Sequence, residues 1–430
     1  MKFGTTGIRG IFGKDITPEI AFRLGKTISS LSKRYVIGCD CRTSSKVIYN
    51  SLVSGLMSGG SQVTNFGMVS TPTLAYNTRM ADYGIMITAS HNPPNYNGIK
   101  IFNKDGSHIS REQSNKIEDD YKKEKDYVSW YEIPDNINTN RYSIQNHIVS
   151  IIKDLGLYKF NSGESVIVDC ANGVMGSITP KVLSLIGCNV TTLDAQPEGR
   201  YISHGSEPIP ENLSTLMKLS KINNSYGVAH DYDGDRTGFI NKDGTIINND
   251  KLIIIIANYI KAKKIVLPVN LSKSMEENIN GEVIRYMIGD TALSRKLKEV
   301  SGDFSAEPSG HWIFPKHMYC SDGGYISALF MKMVKEINLQ EELDKIKSYP
   351  IKRLNIIVKD KDKVMNNINK YVKENHILVD LCDGIKGFTD SAWFLVRPSG
   401  TEDKIRLTVE GDNQKSMVDM LNTLVRVIHE

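Results

Sequence analysis

The stretch Gly84-Ile85-Met86-Ile87-Thr88-Ala89-Ser90-His91-Asn92-Pro93-Pro94-Asn95-Tyr96-Asn97-Gly98-Ile99-Lys100 constrains this chain most. Ile85, Met86 and Ile87 form a short apolar run suited to a buried strand. The strand then gives way to small and polar residues. Pro93 and Pro94 remove two backbone donors and fix φ, so the chain must turn there, and Asn95-Tyr96-Asn97-Gly98 reads as part of the turn. Ser90 is therefore expected just past a strand end, on a stiff loop, with His91 beside it. A hydroxyl presented in this way can attack phosphorus or carry a phosphoryl group. A polar turn that merely closes a strand is the plain alternative, but it leaves the double proline and the nearby Lys100 without a purpose.

Around this stretch the chain alternates strands and helices. The pattern predicts a helix over 17–31 with Pro18 in its first turn, a strand over 35–40, a helix over 47–57 and a strand over 63–66. Asp40-Cys41-Arg42 falls at a strand end and reads as structural, although Arg42 could face a cleft. A charged and polar segment, 116–140, suggests a surface helix and then a boundary. The same rhythm returns with a helix over 144–155, strands over 165–169 and 190–193, and a helix over 177–186 between them. It returns again with a helix over 250–261, strands over 264–268 and 282–288, and helices from 291 and from 323. Repetition of this kind points to duplicated α/β units. After a polar helix near 336–350 the rhythm changes to strand, helix (364–374), paired strands and helix (415–428).

Three loops carry candidate chemistry. Asp231, Asp233 and Asp235 stand at alternate positions after the run Gly227-Val228-Ala229-His230, with Arg236 next. Extended backbone would point the three carboxylates to one side. Like charges so close are unfavourable unless a cation joins them, and hard oxygen ligands suit Mg²⁺. An EF-hand is excluded, because the glycine stands at loop position 4 and position 12 is Lys242. A solvated acidic turn is the ordinary alternative. In Ala306-Glu307-Pro308-Ser309-Gly310-His311, an acceptor, a hydroxyl and an imidazole are suited to reading sugar hydroxyls. In Arg397-Pro398-Ser399-Gly400-Thr401-Glu402-Asp403-Lys404-Ile405-Arg406, the side chains of Arg397, Ser399 and Thr401 and free N–H groups around Gly400 can wrap a phosphate. A surface hairpin is the alternative there, and the P-loop pattern is absent. Near the start, Gly4, Gly7 and Gly10 flank Arg9, the one charge of a segment that lets backbone approach a ligand.

Composition excludes several classes. Net charge is only +4, from 53 Lys+Arg against 49 Asp+Glu, which gives little support to nucleic-acid binding. None of the six cysteines forms a Cys-x-x-Cys pair, so a zinc ribbon or redox motif is not expected and a reducing cytoplasm fits. The N-terminal residues do not read as a signal peptide, and the longest apolar run, 252–257, is too short to span a bilayer.

Taken together, these loops resemble those of the α-D-phosphohexomutases, a family that includes phosphoglucomutase, phosphomannomutase and phosphoglucosamine mutase. Thr88 to Pro93 with Tyr96 to Lys100 is similar to the family's phosphoserine loop, and Asp231, Asp233, Asp235 and Arg236 match its metal loop. The segments around Arg9, Glu307 and Arg397 resemble its N-terminal, sugar-binding and phosphate-binding loops. The resemblance implies three similar α/β units and a smaller α+β unit around a central cleft, with expected bounds 1–140, 141–241, 242–346 and 347–430. It implies that Ser90 carries a phosphoryl group and joins the three aspartates as a metal ligand, with Arg9, His91 and Lys100 around the reacting oxygen. Arg236, Glu307, Ser309, His311, Arg397, Ser399, Gly400, Thr401 and Arg406 would hold substrate. A hexose 1,6-bisphosphate would serve as intermediate, and the protein would be a monomer or homodimer. A lysine base at 100 would need a lowered pKa, which clustered cations could supply. Ala306 stands where many members have Gly, and Trp312 to Pro315 is more similar to archaeal-type members assigned to phosphoglucosamine. A phosphatase using the same serine and metal, or a silent binding protein, are the rival classes.

Overall fold

A computed structural model describes residues 3–4, 7–399 and 403–429. The chain builds four sheets. In the first, Tyr83–Ile87, Arg34–Cys39 and Gln62–Met68 run parallel, and Tyr96–Asn103 and Ile8–Ile11 add antiparallel strands on one side. The second pairs Asn189–Leu193, Ser165–Asp169 and Tyr226–His230 in parallel, with Thr237–Ile240 antiparallel at the edge. The third is mixed and has five strands, and the fourth is a five-stranded antiparallel sheet against two helices, Lys361–Glu374 and Gln414–His429. Among the described residues no helix is long and apolar enough to cross a membrane.

The expected elements recur with small shifts at their ends. Thr17 caps Pro18–Ile28 by accepting from the amide of Ile20, which places proline where a missing N–H costs nothing. The helix expected over 177–186 is found as Thr179–Leu185, preceded by a short 3₁₀ turn, Val174–Ser177. The polar segment after Glu336, where the preceding helix ends, is helical over Leu339–Lys345.

One correction bears on the site. Tyr96-Asn97-Gly98 is not a turn but the start of the strand Tyr96–Asn103, hydrogen-bonded to Tyr83–Ile87. The Asn97 side chain is buried and donates to the hydroxyls of Ser44 and Ser45. A Cβ on Gly98 would lie 2.5 Å from the Ile8 carbonyl and 2.7 Å from that of Thr88, so this glycine serves close strand packing. Ser90 thus lies in the connection of an antiparallel pair whose far strand carries Lys100.

The units are welded together rather than merely strung. One continuous core takes in Val166, Val182 and Phe239 of the second sheet's layer and Leu252, Ile256, Trp312 and Phe330 of the third's. The first and fourth sheets have their own cores. A buried polar knot ties the first three: Asp322 caps the helix Gly323–Glu336 with one oxygen and accepts from Nε2 of His147 (2.8 Å) and of His317 (3.1 Å) with the other. Nδ1 of His147 meets the Thr73 hydroxyl and Nδ1 of His317 meets Asp154, so the knot's ring nitrogens are all partnered.

Candidate active site

Ser90 adopts φ of +51°, a left-handed conformation unusual for a side-chain-bearing residue, and is buried. Its amide donates to the Thr88 hydroxyl. Its Oγ donates to Asp231 Oδ2 at 2.8 Å and lies 3.4 Å from His91 Nδ1. The serine of one unit and the acidic loop of the next are therefore in direct contact.

The strained loop is held from beneath by Arg42. Its guanidinium donates to the carbonyls of Ser90 (2.6 Å), Asn92 (2.7 Å), Pro93 (2.6 Å) and Tyr96 (2.9 Å), and its Nε pairs with Asp40 at 3.1 Å. Tyr201, from the second unit, donates its hydroxyl to the Asn92 carbonyl at 3.0 Å and also meets Arg42. Nothing local in the sequence marks Tyr201 for this role, and Arg42 reads there only as a strand-end residue. Lysine cannot reproduce a planar fork that reaches four carbonyls. Arg42→Lys is accordingly expected to lower kcat/KM about 100-fold, the scale of a misplaced reacting group. Steady-state kinetics beside a melting curve check this, and unchanged kinetics would reduce Arg42 to a packing residue.

The acidic loop packs its three carboxylates with ligand atoms all within 4.8 Å of one another. Asp231 Oδ1 accepts from the amides of Gly234 and Arg236, leaving Oδ2 toward Ser90. Thr71 donates to Asp233 Oδ2 at 2.5 Å. Lys100 Nζ lies between Asp233 Oδ2 (2.8 Å) and Asp235 Oδ2 (2.7 Å). Burial, then its two carboxylate neighbours, pushes Asp231 well above the ordinary carboxyl range. Burial acts the same way on Asp235, but Lys100 and His311 outweigh it and hold that group low.

Lys100 reverses an expectation. Burial alone would lower its pKa, yet Asp233 and Asp235 raise it above the ordinary value, so the cation cluster does not produce a neutral amine here. The ammonium sits between the two carboxylates. Asp233 Oδ1 is buried without a hydrogen-bond partner among the described residues, an acceptor that a hard cation would satisfy. The donor set is all oxygen. These residues fit a divalent cation.

Cations and an imidazole complete the surroundings. Arg9 donates to Asn92 Oδ1 at 2.7 Å. Its strand places it opposite Gly98, and burial lowers its pKa while Asp233 and Asp235 oppose this. Burial and the nearby Arg236 and Arg9 push the His91 imidazole far down, so it is neutral. Arg236 pairs with Glu207 at 2.6 Å, a partner the sequence reading did not select.

The loop 306–311 reaches the same place. His311 Nε2 lies 3.5 Å from Asp235 Oδ1, and its Nδ1 lies 2.8 Å from Glu307 Oε2 and 3.2 Å from the Ser309 hydroxyl. Burial lowers the His311 pKa, but the carboxylates of Asp235 and Glu307 raise it to about 10. Glu307 is buried and its Oε1 accepts from the amide of Gly289 at 2.9 Å. Both its oxygens are thus already engaged by the protein, whereas Ser309 is exposed.

Arg397 and Arg406 stand directly opposite each other on the strands Ala392–Pro398 and Lys404–Gly411. Like charges facing across a ladder repel, which favours an anion between them. The Ser399 hydroxyl beside them is buried and unpartnered among the described residues. Gly400 and Thr401 lie outside the described residues.

Models of the phosphoglucomutase/phosphomannomutase family match in sequence: alpha/beta/alpha domain I over residues 1–128, domain II over 146–244, domain III over 248–349 and the C-terminal domain over 354–426. The chain belongs to this family and is an isomerase of the phosphohexomutase class. It is similar to the probable phosphoglucosamine mutase of Methanocella arvoryzae, 38% identical over 95% of this chain and 93% of the relative. It is similar also to the phosphoglucosamine mutase of Methanocaldococcus jannaschii, 35% identical over 100% of this chain and 98% of the relative. Among solved structures, a phosphoglucomutase/phosphomannomutase family protein from Burkholderia thailandensis superposes with a TM-score of 0.86 at 24% identity, covering 99% of this chain and 96% of that one. The Aspergillus fumigatus N-acetylphosphoglucosamine mutase, in complex with GlcNAc-6P and magnesium, gives 0.67 at 13% identity, over 100% of this chain and 95% of that one.

Proposed function

We propose that this enzyme interconverts hexose 1-phosphates and 6-phosphates, with glucosamine phosphate as its main substrate, through a phosphorylated Ser90. The single observation that carries the reading is the 2.8 Å hydrogen bond from Ser90 Oγ to Asp231 Oδ2. It joins a nucleophile on a strained loop to an acidic cluster fit for a cation. The substrate rests on relatives named phosphoglucosamine mutase. The four units would divide near residues 140, 241 and 346.

In this reading phosphoserine 90 is the donor. The Oγ–P bond breaks as a sugar hydroxyl oxygen bonds to phosphorus, and the hydroxyl proton passes to the protein. The bisphosphorylated sugar turns end for end. Its other O–P bond then breaks, that phosphoryl group returns to Ser90 Oγ, and the sugar oxygen left behind takes back the proton held by the protein. Asp231, Asp233, Asp235 and the Ser90 phosphoryl oxygen would hold Mg²⁺, which neutralises charge on the transferring group. Lys100, Arg9 and His91 surround the transfer. Arg397, Ser399 and Arg406, with Gly400 and Thr401, hold the phosphate that is not reacting, and Arg236, Ser309 and the Glu307–His311 pair face the sugar.

Turnover of glucosamine, glucose and mannose 1-phosphates, each with and without its 1,6-bisphosphate, tests this. The expected result is isomerisation stimulated by bisphosphate and fastest with glucosamine. Release of inorganic phosphate without a 6-phosphate product would make the enzyme a phosphatase instead.

A further inference from the structure

The phosphate hairpin and the sugar loop belong to different units, yet a mutase must hold both ends of one small molecule at a set spacing. Asp383 joins them. Its Oδ1 accepts from Arg397 Nε at 2.8 Å, and its Oδ2 accepts from the amide of Ile288 at 2.9 Å. The next amide, that of Gly289, donates to Glu307 Oε1. Two consecutive N–H groups just past the strand Glu282–Tyr286 thus anchor two carboxylates, Asp383 from the turn before the strand Ile385–Phe388 and Glu307 from the sugar loop. From Glu307 the contacts continue through His311 to Asp235.

The placement of Asp383 is built in. Its carboxylate side chain is only 9% exposed. The following residue, Gly384, has φ of +91°, and a Cβ there would lie 2.5 Å from the Val396 carbonyl and 3.2 Å from Arg397 Cα. Only glycine lets this turn press against the strand that carries the arginine. Arg397 keeps its terminal nitrogens for a ligand while its Nε is fixed, which is how a guanidinium is pre-oriented for two-point phosphate binding.

We infer that Asp383 is a positioning residue that sets the distance between the sugar loop and the phosphate clamp by holding Arg397 against the Ile288–Gly289 backbone. The inference rests on the reading of Arg397 as the clamp for the non-reacting phosphate. That phosphate sits at the clamp whichever end of the sugar reacts, so both isomers depend on it equally.

The test is a double-mutant cycle on the full-length enzyme, read as KM and kcat for glucosamine 1-phosphate and 6-phosphate. Arg397→Ala should raise KM at least tenfold, the scale of a charge-assisted hydrogen bond. Asp383→Ala and the isosteric Asp383→Asn should each raise KM about tenfold for both isomers and leave kcat within about threefold. In the Arg397→Ala background they should add nothing, because the group they orient is gone. Independent, multiplying effects, or an Asp383→Asn enzyme with unchanged KM, would overturn the inference. An unchanged KM in Arg397→Ala would overturn the clamp reading itself and the inference with it. Melting curves of the asparagine variant separate misfolding from misplacement.

Discussion

Ser90→Ala should abolish turnover while leaving the fold intact. Loss of a covalent nucleophile costs on the order of 10⁶-fold where such losses have been measured in other enzymes, and among the described residues no other hydroxyl donates to Asp231. Alanine would retain the left-handed backbone at a cost of about 1 kcal/mol, a strain that serine already bears and that Arg42 and Tyr201 clamp. Intact-mass and peptide mass spectrometry of the active protein should locate one phosphoryl group on Ser90. A variant that keeps full activity, or active protein with Ser90 unmodified throughout turnover, would remove the covalent mechanism.

The second large effect should come from the cation. Chelation is expected to stop the reaction and added Mg²⁺ to restore it. Asp233→Asn should cost at least about tenfold in kcat, since a charged ligand of a metal that stabilises the transition state is worth a few kcal/mol. Lys100 sharpens this expectation. It shares Asp233 Oδ2 with Thr71, so any ion that binds must compete with the ammonium or use the unpartnered Oδ1. The asparagine enzyme should need a higher Mg²⁺ concentration for half its maximal rate. Chelated enzyme with an unchanged rate would rule out a catalytic metal.

What could be read in advance had local causes. Alternating acids after an apolar strand declare themselves, because three carboxylates at that spacing ask for a counter-charge. The strand and helix rhythm is equally local, as is the proline in the first turn of Pro18–Ile28. The strand Tyr96–Asn103 was hidden for the opposite reason. Asn97 and Gly98 look like turn residues until Ser44, Ser45 and the Ile8 carbonyl are brought against them from distant parts of the chain. Arg42 and Asp383 have no motif of their own, since Arg42 acts on the carbonyls of a loop distant in sequence and Asp383 on a side chain and an amide far along the chain. Lys100 shows the same limit in electrostatics. A count of neighbouring cations points its pKa downward, and only the 2.8 and 2.7 Å contacts with Asp233 and Asp235 show why it goes up.

The single core shared by the second and third sheets has a consequence for how such an enzyme can change over time. Phe239 packs against Trp312 and Phe330, so a cut between the two units would turn an apolar interior toward water on both halves. The two units are therefore tied to a common fate: neither can be exchanged, deleted or borrowed by another protein without its neighbour. The fourth has a core of its own and meets the third through a small apolar patch in which Val269 packs with Trp393 and Leu395, so its exchange would uncover far less apolar interior.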